Sequence, residues 1–202
     1  MPTLHRPAKP AAKPRAVGAR ERYDAPVSDP PILRPALFLD RDGVLNEDHG
    51  YVHSWADFHW VRGAREAVAA FNRAGWLVLL VTNQSGIGRG YYTEADMHAL
   101  HARMAGGLAE AGGRIDAVYY CPHHPQATVQ AYRHPDPPDR KPNPGMILRA
   151  MAEWPVDRAR SVLVGDKPAD IEAANRAGVR GLLFPGGDLQ AFLAAEVPLG
   201  GG

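Results

Sequence analysis

The chain has little cysteine, little excess charge and no long apolar run, and each shortage closes off a class of protein. One cysteine in 202 residues cannot form an internal disulfide, so nothing here demands an oxidising compartment. A formal net charge of +1 gives no global electrostatic case for nucleic acid. The longest strongly apolar run, residues 76–81, is far below the roughly 20 residues of a membrane helix. The opening residues, MPTLHRPAKP, lack the apolar stretch of a secretory signal. The expectation is a soluble cytoplasmic protein with no membrane partner and no nucleic-acid partner.

What is present is the composition of a folded domain: 45% hydrophobic and 22% charged residues, in a length that suits one domain with or without a tail. The charge is uneven. Residues 1–35 hold seven Lys/Arg, three Asp/Glu and eight of the 19 prolines, a net +4 that leaves −3 for residues 36–202. Proline and alanine with almost no aromatic anchor cannot build a core. Residues 1–35 are therefore expected to be a disordered basic tail, either an unstructured extension or a misassigned start. The alternative is a nucleic-acid-binding arm.

From residue 36 the pattern changes. Residues 36–39 are apolar and end in Asp40-Arg41-Asp42-Gly43; residues 77–81 are aliphatic and end in Thr82-Asn83-Gln84; residues 161–164 end in Gly165-Asp166-Lys167. Further strands are expected over 115–120 and 179–184. Helical spacing or stop signals mark 63–74, a helix starting at Thr93 and ending at Gly112-Gly113, 144–154 and 169–177. Solidly apolar strands alternating with helices predict an α/β domain, a doubly wound parallel sheet covered on both faces. Residues 121–144 break the alternation, with seven prolines, histidines and the only cysteine. A connection of that length in a compact domain is usually functional.

In such sheets ligands bind beyond the carboxyl ends of the strands. There the sequence gathers Asp40 and Asp42, Thr82 and Asn83, Asp166 and Lys167, and from the long connection Arg140 and Lys141. Crowded carboxylates require a cation, and oxygen ligands suit Mg²⁺. Lysines beside a metal that already meets the carboxylate charge suit a phosphate. A carboxylate nucleophile would form an acyl phosphate, splitting one hard displacement into two, while a second carboxylate moves the protons. Gly86-Ile87-Gly88-Arg89-Gly90 has neither the lysine nor the placement of a nucleotide loop. His98 and His101 fall on an expected helix and are read as surface residues.

FLDRDGVLN, LLVTNQSGIGRG, DRKPNPGM and VLVGDKPADIEAA resemble, in order, the four motifs of the haloacid-dehalogenase-like (HAD-like) phosphohydrolases. Within that superfamily DHGYVHSWADF, NQSGIGRGYYTE and YYCPHHPQATVQAY look like segments of the D-glycero-D-manno-heptose 1,7-bisphosphate 7-phosphatases, relatives of the histidinol phosphatases. The resemblance covers residues 36–185. It implies a Mg²⁺-dependent phosphomonoester hydrolase without a large cap, acting as a monomer on a small sugar phosphate in the supply of nucleotide-activated heptose for lipopolysaccharide. Histidinol-phosphate phosphatase and polynucleotide 3′-phosphatase are the rival readings.

Carried over position by position, the resemblance implies Asp40 as nucleophile and Asp42 as general acid/base. Asp40, Asp166 and the backbone carbonyl of Asp42 would bind Mg²⁺, and Thr82 and Lys141 would hold the transferring phosphoryl group. Arg140 would contact the rest of the substrate, Asp48, His49, Gly50 and Tyr51 would line the sugar pocket, and Asn83, Gln84, Ser85 and Lys167 would face the ligand. The family commonly adds a structural zinc held by C-x-H and two later cysteines. Cys121 and His123 match the first pair, but Pro137 and Asp139 stand where the second would be. His134, Asp136 and Asp139 replace two thiolates poorly, so zinc is not expected and any residual site would rest on Cys121 and His123.

Overall fold

The computed structural model describes residues 32–199; residues 1–31 of the expected tail lie outside the described residues. The elements run β1 (Ala36–Leu39), α1 (Ala64–Arg73), β2 (Leu77–Asn83), α2 (Ser85–Gly88), α3 (Glu94–Glu110), β3 (Ala117–Cys121), α4 (Gly145–Glu153), β4 (Val162–Gly165), α5 (Pro168–Ala177), β5 (Arg180–Leu183) and α6 (Leu189–Glu196). The five strands form one parallel sheet in the order β3-β2-β1-β4-β5.

Alternation along each strand divides the core in two. Leu37, Leu39, Val78, Leu80 and Val164 face the side covered by Phe71 of α1, Met104 and Leu108 of α3 and Leu193 of α6. Phe38, Leu77, Leu79 and Leu163 face the other side, against Met146 and Ile147 of α4 and Ala173 and Ala174 of α5. Both faces are dry at the central strands β1, β2 and β4, which is why these read as continuous aliphatic runs. Helix α3 starts where the sequence places it: Thr93 Oγ1 accepts from the Asp96 N–H at 3.2 Å, and the Thr93 N–H donates to Asp96 Oδ2 at 2.8 Å.

Two helices were not foreseen from the pattern. SGIG is too short and glycine-rich to show a period. LQAFLAAE is apolar nearly all round and so shows little helical contrast; it starts on Asp188, whose Oδ1 accepts from the Ala191 N–H at 3.0 Å, and it packs on α1. The third strand begins two residues later than expected, at Ala117. Strand β1 pairs with β2 on one side and β4 on the other, so the chain reverses its direction of sheet growth at β1. The crevice beyond the carboxyl end of β1 is where such a sheet offers a ligand site.

Candidate active site

The centre of that crevice is an ammonium between two buried carboxylates. Lys141 Nζ lies 3.0 Å from Asp40 Oδ1 and 2.6 Å from Asp170 Oδ1, and donates to the Val81 carbonyl at 2.8 Å; its side chain is 2% exposed. Lys141 follows the long connection, and Asn83 at the end of β2 holds it there. Asn83 Nδ2 donates to the Lys141 carbonyl and the Lys141 N–H donates to Asn83 Oδ1, both at 3.1 Å.

Asp166, at the end of β4, completes a group in which one carboxylate oxygen from each of Asp40, Asp166 and Asp170 lies within 4.8 Å of the others. Asp166 Oδ1 is buried with no hydrogen-bond partner. Gly43 makes the approach possible: its φ is 85°, and a Cβ there would stand 2.3 Å from Asp166 Oδ2. Lys141 pairs with two of the three carboxylates, and Asp166 has only the largely exposed Lys167 Nζ at 3.8 Å from Oδ2, which leaves an unused lone pair on the buried Oδ1. An oxygen-liganded divalent ion such as Mg²⁺ fits that donor set.

The titration behaviour agrees. Burial, with Asp170 and Asp42 adding to it and Lys141 opposing, raises Asp40 to about 6. Burial also raises Asp166. Burial alone would lower Lys141, but Asp40 and Asp170 outweigh it, so the ammonium is held in its charged form. Carboxylates raised by burial and by neighbouring like charge in a cleft point to a functional site.

Asp42 takes a different environment. Its carboxylate accepts from Arg41 and Asn46, and from Gln84, whose Nε2 also donates to Thr82 Oγ1 at 2.9 Å. Lys167 Nζ ties Asp48 Oδ2 at 2.9 Å. Burial would raise Asp48, yet the hydrogen bond from Lys167 prevails and its pKa is lowered.

Most residues expected at the site come together. Asp40, Asp42, Asp48, Gly50 and Tyr51 line one cleft of about 260 Å³ with Asn83, Ser85, Arg140, Lys141 and Lys167. Tyr51 holds a positive φ of 56° and sets its ring edge-on to Tyr91, centroids 4.7 Å apart. Thr82 and Gln84 are buried beneath the cleft and do not line it. His49 turns away, 3.2 Å from Glu47 Oε2 and edge-on to His59. Cys121 is buried with its thiol toward the His123 carbonyl, and the rings of His123 and His134 lie 6.5 Å apart.

Asp170 was missed by the sequence reading. The signal was an acid four residues after Asp166, in the first turn of α5, but that position also reads as a helix cap, and Asp170 Oδ2 does accept the Lys167 N–H at 3.0 Å. His101 corrects the reading of it as a surface residue. It is part-buried with Nε2 3.4 Å from Arg41 Nη1, and burial, aided by Arg41, lowers it to about 3.

Comparison with known proteins adds relatives to this geometry. Residues 139–196 match a family described as HAD-hydrolase-like. The chain is 46% identical over 164 residues to the D-glycero-beta-D-manno-heptose-1,7-bisphosphate 7-phosphatase of Rhodopseudomonas palustris, covering 79% of this chain and 88% of that one. It is 49% identical over 144 residues to the D-glycero-alpha-D-manno-heptose-1,7-bisphosphate 7-phosphatase of Burkholderia mallei, covering 71% and 76%. The crystal structure of D,D-heptose 1,7-bisphosphate phosphatase from B. bronchiseptica, complexed with magnesium and phosphate, superposes with a TM-score of 0.68 at 36% identity, covering 80% of this chain and 86% of that one.

Proposed function

The chain belongs to the heptose-1,7-bisphosphate 7-phosphatase family of HAD-like hydrolases, and we propose that it hydrolyses the 7-phosphate of D-glycero-D-manno-heptose 1,7-bisphosphate. The observation that carries the mechanism is the buried Asp40–Lys141–Asp170 cluster, with Asp166 beside it and Asp42 lining the same cleft.

In this reading an Asp40 carboxylate oxygen attacks phosphorus. The bond from phosphorus to the C7 oxygen breaks, and Asp42 gives that oxygen a proton. Water then attacks the aspartyl phosphate, Asp42 takes a proton from it, and the bond between phosphorus and Asp40 breaks to release inorganic phosphate. Lys141 balances the equatorial phosphoryl charge and Asn83 keeps it in place, while Thr82, buried beneath the cleft, anchors Gln84. Asp40, Asp166, Asp170 and the Asp42 carbonyl would hold Mg²⁺, which supplies charge neutralisation for the phosphoryl oxygens. Arg140 at the cleft wall suits the second phosphate, since its planar fork matches phosphate oxygens. Tyr51, braced by Tyr91, and Asp48, tied to Lys167, form the wall that meets the sugar.

Among the described residues no helix is long and apolar enough to cross a membrane. The working unit in this reading is a monomer, and a sugar-phosphate substrate supports a cytoplasmic setting in heptose precursor synthesis for lipopolysaccharide. Relatives named as heptose bisphosphate phosphatases do not favour the histidinol-phosphate or polynucleotide readings.

The test is phosphate release with Mg²⁺ across both anomers of heptose 1,7-bisphosphate, histidinol phosphate and a 3′-phosphorylated oligonucleotide. The expected result is a kcat/KM for one heptose anomer at least a hundredfold above the other two classes, a ratio of about 3 kcal/mol in transition-state binding. Comparable rates on histidinol phosphate would overturn the substrate assignment.

A further inference from the structure

Beneath the cleft the Asp42 carboxylate is gripped by three side chains. Arg41, fully buried, donates from Nη2 to both oxygens at 2.9 Å. Asn46 Nδ2 donates to Oδ1 at 3.0 Å and Gln84 Nε2 to Oδ2 at 3.2 Å. Arg41 Nε adds a further bond to Oδ1 at 3.2 Å, so Oδ1 is drawn by Arg41 and Asn46, and Gln84 is the partner that adds to Arg41 in holding Oδ2 and the rotation of the carboxylate plane.

Gln84 is itself held. The Tyr92 hydroxyl donates to Gln84 Oε1 at 2.6 Å. That bond commits the amide: with Oε1 engaged as acceptor, the NH₂ end must face Asp42 and Thr82. Tyr92 reaches this depth because residue 86 is glycine, since a Cβ there would stand 2.2 Å from the tyrosine ring. The ring is fixed on its other side by stacking on His53, centroids 4.9 Å apart and planes 2° apart. Burial pushes the Tyr92 hydroxyl up to about 12, so it is a donor across the working range of an enzyme.

We infer that Tyr92 is a positioning residue for Asp42, acting through Gln84. The inference rests on the reading of Asp42 as the group that protonates the leaving oxygen. A proton donor must be held within about 0.5 Å of its productive position, and a side chain locked by neighbours of its own is what achieves this. The glycine-rich segment Ser85–Gly88 thereby acquires a purpose other than phosphate binding: it makes room for the tyrosine that fixes the amide.

Tyr92→Phe removes one hydroxyl and keeps the ring on Gly86 and His53. The kcat/KM ratio reports the steps up to formation of the aspartyl phosphate, in which the alkyl oxygen of heptose 1,7-bisphosphate needs a proton and p-nitrophenolate does not. In Tyr92→Phe, kcat/KM for the heptose substrate should fall about fivefold to thirtyfold, the scale of one hydrogen bond. For p-nitrophenyl phosphate it should change less than about twofold. The inhibition constant of inorganic phosphate should not move. In a Gln84→Met background the further change Tyr92→Phe should have almost no effect, because the path to Asp42 is already cut. Equal losses on the two substrates, a weakened phosphate inhibition, or additivity in the double variant would overturn the inference while leaving a working phosphatase. Absence of Mg²⁺-dependent release by the wild-type enzyme from both substrates would overturn the phosphatase reading and this inference together.

Discussion

Replacing Lys141 by methionine keeps an unbranched side chain of nearly the same length and deletes one buried charge, which makes it the sharpest perturbation of the site. In the wild type the ammonium contacts Asp40 at 3.0 Å, Asp170 at 2.6 Å and the Val81 carbonyl at 2.8 Å, with 2% of the side chain exposed. Its removal leaves two carboxylates in a low-dielectric pocket with no cation between them. Breaking a buried ion pair from one side costs about 3–5 kcal/mol. At roughly 2–4 °C per kcal/mol for a chain of this size, Tm should fall by about 6–20 °C. The loss should depend on pH in a known direction. Burial raises Asp40 above its ordinary value, so the folded state keeps the proton to a higher pH than the unfolded chain does. Stability therefore declines as pH rises from about 4 through about 6, and the variant, with the opposing lysine gone, should carry that decline to higher pH. Its deficit should be smaller at pH 5 than at pH 8. Mg²⁺ placed among Asp40, Asp166 and Asp170 restores positive charge, so the ion should raise Tm more in the variant than in the wild type. The assay is scanning calorimetry of both proteins at both pH values, with and without Mg²⁺. A fall below about 3 °C, or one independent of pH, would refute the account of the cluster. Turnover should drop about 10²- to 10³-fold, as for loss of one charge-stabilising donor.

The other expectations concern chemistry, selectivity and metal content. Asp40→Asn should leave less than about a hundredth of wild-type kcat with the fold intact by circular dichroism, since an amide is a very poor nucleophile. It should also weaken the Mg²⁺-induced rise in Tm. Arg140→Ala should raise KM for the bisphosphate about tenfold, roughly the ~1.4 kcal/mol of a charge-assisted contact, and leave KM for a monophosphate nearly unchanged. An equal rise on both would assign Arg140 another role. Purified protein should contain well under one zinc per chain by elemental analysis, and EDTA should stop activity until Mg²⁺ is restored; stoichiometric zinc would require replacement ligands such as His134, Asp136 or Asp139 around Cys121 and His123.

The sheet was legible because its central strands β1, β2 and β4 are dry on both faces and so carry uninterrupted aliphatic runs, as residues 77–81 do. Asp40, Asp42 and Asp166 were legible because strand ends concentrate chemistry in this architecture. Asp170 was not, because a carboxylate at the third helical position already has a capping role and shows no excess that needs explaining. His101 and Tyr92 were hidden for another reason. Their partners, Arg41 and Gln84, lie 60 and 8 residues away, and only the packing of α3 and of the turn after α2 brings them within reach. Local pattern reports which face of an element is apolar; it does not report which polar side chain on that element meets a distant one.

The pair of hydrogen bonds between Asn83 and Lys141 has an evolutionary corollary. They rivet the far end of the long connection to the last residue of a central strand, so Lys141 takes its position from the sheet and not from the loop that leads to it. Residues 122–139 are thereby released from the duty of supporting the bond-breaking step. They can drift in length and composition, acquire or discard a metal staple, and retune which sugar is admitted, while the rate of the chemical step is insulated from the change. Grafting that segment from a relative of different selectivity should therefore exchange preference without rebuilding the catalytic centre.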